Sequence, residues 1–113
     1  MENSDRSIDN INNALLLDFY GQLLTEKSLE VAQLHYNEDM SLSEISELLG
    51  ISRQAVHDTL RRATAAIIGY EDKLNLADLF VRQKSAATAA LADLDAGNID
   101  DARAKLIALT EIL

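Results

Sequence analysis

One stretch of this chain, residues 42–61, limits the possible fold more than any other. Ser41 precedes an amphipathic segment that runs from Leu42 to Leu49, Gly50 follows it, and Ser52 then opens a second amphipathic segment. Serine is a favoured N-cap residue, and glycine suits the left-handed turn that closes a short helix. A short helix, a glycine turn and a closely crossing second helix make up a helix-turn-helix. The alternative is an ordinary helical hairpin.

Two more features of this stretch favour the helix-turn-helix. Ser41 and Glu44 have the spacing of a capping box, and the small Ser46 lies where a bulky side chain would clash with the crossing helix. If the two helices bury their crossing, replacing Leu49 or Val56 with alanine should cost roughly 2–4 kcal/mol of stability. The predicted apolar contacts are Ile45, Leu49, Ile51, Val56 and Leu60.

The rest of the chain also predicts helices. The 113 residues include no proline and only four glycines, fewer turn formers than strand folds need. Apolar residues recur every three or four positions, which is typical of amphipathic helices. We therefore predict an all-α fold, with an orthogonal helical bundle over residues 1–74 and a helical hairpin over residues 75–113. The predicted helices cover about residues 8–24, 26–36, 42–49, 53–68, 77–95 and 99–113.

The second and fourth of these helices allow more detailed predictions. Thr25 should cap the second helix, whose apolar residues form two nearly opposite stripes, so that this helix lies at the centre of the core. Before it, Phe19 is expected in the core, and Gly21 should let the second or fourth helix approach closely; the alternative for residues 18–21 is a role in binding a partner. The fourth helix should end or bend at Gly69 or within residues 70–72. The two stripes are Leu29, Ala32 and Tyr36, and Val31 and Leu34.

The C-terminal hairpin carries an apolar seam on its last helix. The seam residues follow the 3-4-3-4 spacing of helices that pack side by side, either within one chain or between two. We expect this hairpin to mediate self-association, with a homodimer as the result. The seam consists of Ile99, Ala102, Leu106, Leu109 and Leu113.

Charge is distributed unevenly along the chain. The formal net charge is −9, which argues against a protein that coats nucleic acid by bulk electrostatics, and only residues 51–73 are net positive. Arginine and glutamine there suit bidentate contacts with bases, and Arg61 and Arg62 suit phosphates. A merely solvated polar face is the equal alternative, because Asp58 and the acidic first fifty residues would repel a polyanion. The candidate binding residues are Ser52, Arg53, Gln54, His57, Asp58, Arg61 and Arg62.

Little in the sequence favours catalysis or a membrane location. The chain has no cysteine, and neither His35 nor His57 has the i±4 His or Glu partner of a helical metal pair. No glycine-rich phosphate loop or catalytic triad is recognisable. We therefore expect a non-enzyme without cofactor or metal. The acidic N-terminal residues and the lack of an apolar run of roughly 18 residues predict a cytoplasmic protein without membrane insertion.

Five motifs follow one another over about residues 15–76. They are Leu-Leu-Asp-Phe-Tyr-Gly (16–21), Leu-Leu-Thr-Glu-Lys (23–27), Tyr-Asn-Glu-Asp (36–39), Ser-Leu-Ser-Glu-Ile (41–45) and Gly-Ile-Ser-Arg-Gln-Ala-Val (50–56). As an ordered set, these motifs resemble the YlxM family, and Tyr70-Glu71 and Lys73-Leu74 extend the similarity. The sequence departs from the family at His57, usually a tyrosine, and at Thr59-Leu60, usually Asn-Ile, and the family usually has a lysine near Arg61.

The resemblance implies both a fold and a function. The helix-turn-helix of this family is similar to region 4 of sigma-70-type factors. Its members are bacterial and are typically encoded beside the signal recognition particle GTPase Ffh or its receptor FtsY. This implies an accessory or regulatory role in that protein-targeting pathway, through contact with Ffh or with the particle's RNA. The alternatives are a DNA-binding transcriptional regulator that uses the same helix, and a helix-turn-helix that serves only as a protein-interaction surface.

Overall fold

The computed structural model describes residues 12–112, and this part of the chain contains helices and no strands. The all-α prediction is confirmed, while the predicted start of the first helix at residue 8 lies outside the described residues. The first helix, α1, is described over residues 12–20 and leads into a 3₁₀ turn at Gly21–Leu23. The remaining helices are α2 (Glu26–Tyr36), α3 (Leu42–Leu49), α4 (Arg53–Leu74), α5 (Leu76–Asp95) and α6 (Ile99–Ile112).

The predicted N-caps define the first turns of α2, α3 and α4. The Thr25 hydroxyl accepts a hydrogen bond from Ser28 N at 3.2 Å, and the Ser52 hydroxyl accepts one from Ala55 N at 3.0 Å. Ser41 and Glu44 form the predicted capping box, with distances of 3.0 and 3.1 Å. The pKa of Glu44 lies below its ordinary value, mainly because its carboxylate accepts a hydrogen bond from the Ser41 backbone N–H and to a smaller extent because of the Ser41 hydroxyl.

α2 lies between two apolar clusters, as its two stripes predicted. Its Ala32 belongs to the first cluster, and its Val31 belongs to the second; both side chains are completely buried. A β-carbon on Gly21 would lie 2.9 Å from Leu29 Cδ1, so Gly21 does permit the close approach of α2. The buried residues of the first cluster are Leu17, Tyr20, Ala32, Ala63 and Ile67, and those of the second are Val31, Ile45 and Val56.

The structure differs from the prediction in α1 and in α4. The α-helical part of α1 ends at Tyr20 rather than near residue 24, since residues 21–23 form a 3₁₀ turn. Phe19 packs against the first cluster but is only partly buried, and the neighbouring Tyr20 is instead 1% exposed and donates a 2.5 Å hydrogen bond to Glu71 Oε1. The prediction that α4 ends at Gly69 or within residues 70–72 was wrong, because α4 continues to Leu74, while a bend there stays a prediction. A helical glycine costs only about 1 kcal/mol, and the core contacts of Tyr70 and Glu71 are sufficient to offset it.

The described residues fall into two compact units, one within Met1–Asn75 and the other within Leu76–Leu113. In the second unit, α5 and α6 pack against each other. The turn that connects them includes Gly97, whose φ is +83°. The role of the α5–α6 hairpin in self-association stays a prediction, and so does the orthogonal arrangement of the helices in the first unit. Along residues 12–112, no helix is both long and apolar enough to cross a membrane.

Candidate nucleic-acid and partner interface

The second apolar cluster fixes the start of α4 against α2 and α3. Val31 from α2, Ile45 from α3 and Val56 from α4 are each completely buried there. The predicted contacts Leu49, Ile51 and Leu60 also pack against this cluster, although each of them is only partly buried. The apolar contacts predicted for the helix-turn-helix are therefore present.

The turn between α3 and α4 is closed by Gly50 and by Ser46. Gly50 has a φ of +68°, in the left-handed region that glycine tolerates best, and its N–H donates to Ser46 O at 3.0 Å. The Ser46 hydroxyl donates a 2.5 Å hydrogen bond to the carbonyl of Ile51. The sequence indicated only that residue 46 had to be small. The Ser46 hydroxyl also links α3 to Ile51, within the turn.

The predicted binding residues do not all share one side of α4. Val56, Thr59 and Ala63 are buried and define the side that faces the core. Because successive helical residues are about 100° apart, Arg53 and Arg62 lie at opposite edges of the solvent-exposed side. Ser52 precedes the helix, and its hydroxyl already accepts the capping hydrogen bond from Ala55 N. The centre of the exposed side is formed by Gln54, His57, Asp58 and Arg61.

Asp58 engages two of these neighbours. Gln54 Nε2 donates to Asp58 Oδ1 at 3.0 Å, and His57 Nδ1 lies 3.7 Å from the same oxygen. The i,i+4 spacing of Gln54 and Asp58 is a signal from which this contact could have been predicted. One N–H of the Gln54 amide is therefore occupied, which leaves its second N–H and its oxygen for a contact with a base.

The three arginines of this surface have no side-chain partner among residues 12–112, which leaves their charged groups facing solvent there. Arg53, Arg61 and Arg62 are exposed, and none of them makes an ion pair or a side-chain hydrogen bond within the described chain. In contrast, Arg82 Nε lies 3.1 Å from Asp78 Oδ2 on α5. The arginines of α4 therefore present guanidinium donors that are available to phosphate or carboxylate groups.

An apolar groove borders the arginine-bearing side of α4. It has a volume of about 460 Å³ and lies among α2, α3 and α4, with His57 and Arg61 in its wall. His35 also lines it; this half-buried residue has its Nδ1 2.9 Å from the carbonyl oxygen of Met40. No group of three or more His, Asp or Glu side chains within residues 12–112 could hold a metal ion.

Comparison with known proteins identifies the family. Residues 9–104 match the profile of a family described as "Putative helix-turn-helix protein, YlxM / p13 like". A UPF0122 protein of Acetivibrio thermocellus is 49% identical over 81 residues, which cover 72% of this chain and 69% of that protein. UPF0122 proteins of Clostridium novyi and Clostridium kluyveri are 49% and 52% identical over 61% and 60% of this chain. The chain spans 60% and 61% of the length of these two relatives. The chain therefore belongs to the UPF0122 family of YlxM/p13-like helix-turn-helix proteins.

Proposed function

We propose that this chain is an accessory or regulatory protein of the bacterial signal recognition particle pathway, and that α4 contacts the particle's RNA or the GTPase Ffh. The observation that carries the contact surface is the set of three arginines on the exposed side of α4, none of which is paired within residues 12–112. The pathway follows from the resemblance of residues 15–76 to the YlxM family. No catalytic step is part of this proposal.

The charge distribution favours a selective contact over general nucleic-acid binding. Arg61 and Arg62 would neutralise phosphates, or carboxylates if the partner is Ffh, while Arg53 contacts the partner near the start of α4. The chain as a whole has a formal net charge of −9, so an extended polyanion is repelled outside this small surface. Binding therefore depends on a partner whose shape places its anionic groups against α4 alone.

The proposal is tested by fluorescence anisotropy with three labelled probes: Ffh, the signal recognition particle RNA and a random DNA duplex. Each titration is run at two salt concentrations, because affinity for nucleic acid falls steeply with added salt. We expect Ffh or the RNA to bind more tightly than the duplex. If neither Ffh nor the RNA binds detectably, the assignment to this pathway is overturned.

The same titrations with arginine variants test the surface. Arg61→Ala and Arg62→Ala should each weaken binding of the preferred probe. Arg82→Ala is the matched control, because it removes the same charge from α5, where the side chain is paired with Asp78. If both α4 variants bind like the parent, the contact surface lies elsewhere.

A DNA-binding regulator that uses the same helix is the second candidate. The exposed Arg53 and Gln54 near the start of α4 favour it, because this end of a recognition helix contacts base edges. It requires a dimer whose two α4 helices lie about 34 Å apart on one face. Tight binding to duplex DNA alone, together with a dimer of that geometry, would put this candidate first.

A further inference from the structure

The α5–α6 hairpin leaves a broad apolar surface uncovered. Its buried side chains, within the described part of the unit, are all alanines: Ala77, Ala90 and Ala102. Larger apolar side chains of the same two helices stay exposed to solvent. Four of these are Leu91 (63%), Leu94 (47%), Ile99 (66%) and Leu106 (45%).

These four side chains lie on one side of the hairpin. Ala90 and Ala102 mark the line where α5 and α6 face each other, and Asp93 and Lys105 lie about 60° to one side of it, where they form a 2.5 Å ion pair. The helical periodicity of about 100° per residue places the four exposed residues on the other side. We call this side, comprising Leu91, Leu94, Ile99 and Leu106, the apolar face.

The apolar face continues into a groove between the two helices. The groove has a volume of about 480 Å³, and its lining includes Ala87 of α5 and Leu109 of α6. The seam predicted on α6 is therefore only partly used by α5: Ala102 is buried and Leu109 is half-buried, while Ile99 and Leu106 stay exposed. The fifth predicted seam residue, Leu113, lies outside the described residues. The opposite side of the hairpin carries the Asp93–Lys105 ion pair.

We propose that the apolar face binds the same face of a second copy of this chain, so that two hairpins form a four-helix bundle. The described residues of this two-helix unit bury only alanines completely, so the unit gains little hydrophobic stabilisation, and burial of its apolar face would add to it. A second copy is the partner that is always present in equal amount. Two such faces are also self-complementary in size, as a two-fold interface requires.

Charge complementarity fixes the arrangement of the two copies. Lys84 and Asp95 are both exposed and lie on the same edge of α5, beside the apolar face and about 16 Å apart along the helix. Neither makes an ion pair within the described residues; the Lys84 ammonium lies 5.9 Å from the centre of the Phe80 ring. A two-fold axis that is perpendicular to α5 and passes between the two copies beside its midpoint, near Leu91, makes the two α5 helices antiparallel. Each Lys84 then faces the partner's Asp95.

The first test is sedimentation equilibrium of the full chain over a range of concentrations. We expect a monomer–dimer equilibrium, and Leu106→Glu should raise the dissociation constant about a hundredfold because it buries an unpaired carboxylate. Ala104→Glu is the matched control on the exposed, polar side of the same helix and should dimerise like the parent. A parent chain that is monomeric throughout, or two glutamate variants that dimerise equally, would overturn the proposal.

A charge exchange tests the antiparallel arrangement with substitutions on the exposed surface, which leave the packing between α5 and α6 intact. Lys84→Asp alone should raise the dissociation constant about tenfold, because each dimer loses two ion pairs and gains two repulsive pairs. The double variant Lys84→Asp with Asp95→Lys restores both pairs and should return it to within about threefold of the parent. A double variant that dimerises no better than Lys84→Asp would refute this arrangement. The proposal does not depend on the proposed function, since nucleic-acid binding enters neither test.

Discussion

Val56→Ala provides the most direct test of the buried helix-turn-helix crossing. The Val56 side chain has 0% exposure and packs between Val31 of α2 and Ile45 of α3. The substitution removes two methyl groups, each worth about 0.8 kcal/mol of transfer free energy, and leaves a void among residues that relax only partly. We expect a loss of about 2–3 kcal/mol in the free energy of unfolding. Leu49 is half-buried at the margin of the cluster, so its truncation should cost less, about 1–2 kcal/mol.

Urea unfolding followed by tyrosine fluorescence is a suitable assay for this prediction. The chain has no tryptophan, and its three tyrosines, Tyr20, Tyr36 and Tyr70, all lie in the first unit, so that the signal comes from this unit alone. Leu48→Ala is the control, since Leu48 lies on α3 but is 61% exposed, and its loss should be within about 0.5 kcal/mol. A loss for Val56→Ala no larger than that of the control would place Val56 outside a buried crossing and refute the reasoning.

Further predictions concern the turn and the capping box of the helix-turn-helix. Gly50→Ala should destabilise the protein by about 1–2 kcal/mol because the φ of Gly50 is +68°, whereas Gly69→Ala, in a helix with no atom within 4 Å of the added carbon, should stabilise it by about 0.5–1 kcal/mol. Urea unfolding that shifts in the same direction for both variants would contradict this. The folded-state pKa of Glu44 lies below its unfolded value, so its carboxylate stabilises α3 above the unfolded pKa, and this stabilisation is lost as the pH falls through the lowered pKa. The stability difference between the parent and Glu44→Gln should therefore be largest near neutral pH and should shrink in acid; a difference that does not change with pH would refute this role.

Features that depend on neighbouring residues could be predicted from the sequence. Thr25, Ser41 and Ser52 cap their helices through hydrogen bonds to groups three residues away, so that the local sequence suffices to identify them. The position of α2 at the centre of the core followed from its two apolar stripes, because a helix that is apolar on two sides must pack on two sides.

Contacts between distant residues could not be predicted in this way. Tyr20 and Glu71 are 51 positions apart, and no periodicity in either helix indicates that they meet. This pairing, together with the core contact of Tyr70, also explains why α4 continues through Gly69, since tertiary contacts override the local preference of a single residue. In the candidate site, the composition indicated which residues of α4 are polar. Only the structure shows that Arg61 and Arg62 lack ion-pair partners among the described residues, and that Gln54 donates a hydrogen bond to Asp58.

We propose that the arginines of α4, which lack ion-pair partners among the described residues, form the binding surface. The most direct measurement is the salt dependence of binding to the signal recognition particle RNA, for the parent and for the double variant Arg61→Ala/Arg62→Ala. If both side chains contact phosphates, we predict weaker binding and a plot of log affinity against log salt whose slope is shallower by about one unit per arginine. RNA binding by the double variant with the parent's affinity and the parent's slope would contradict the claim.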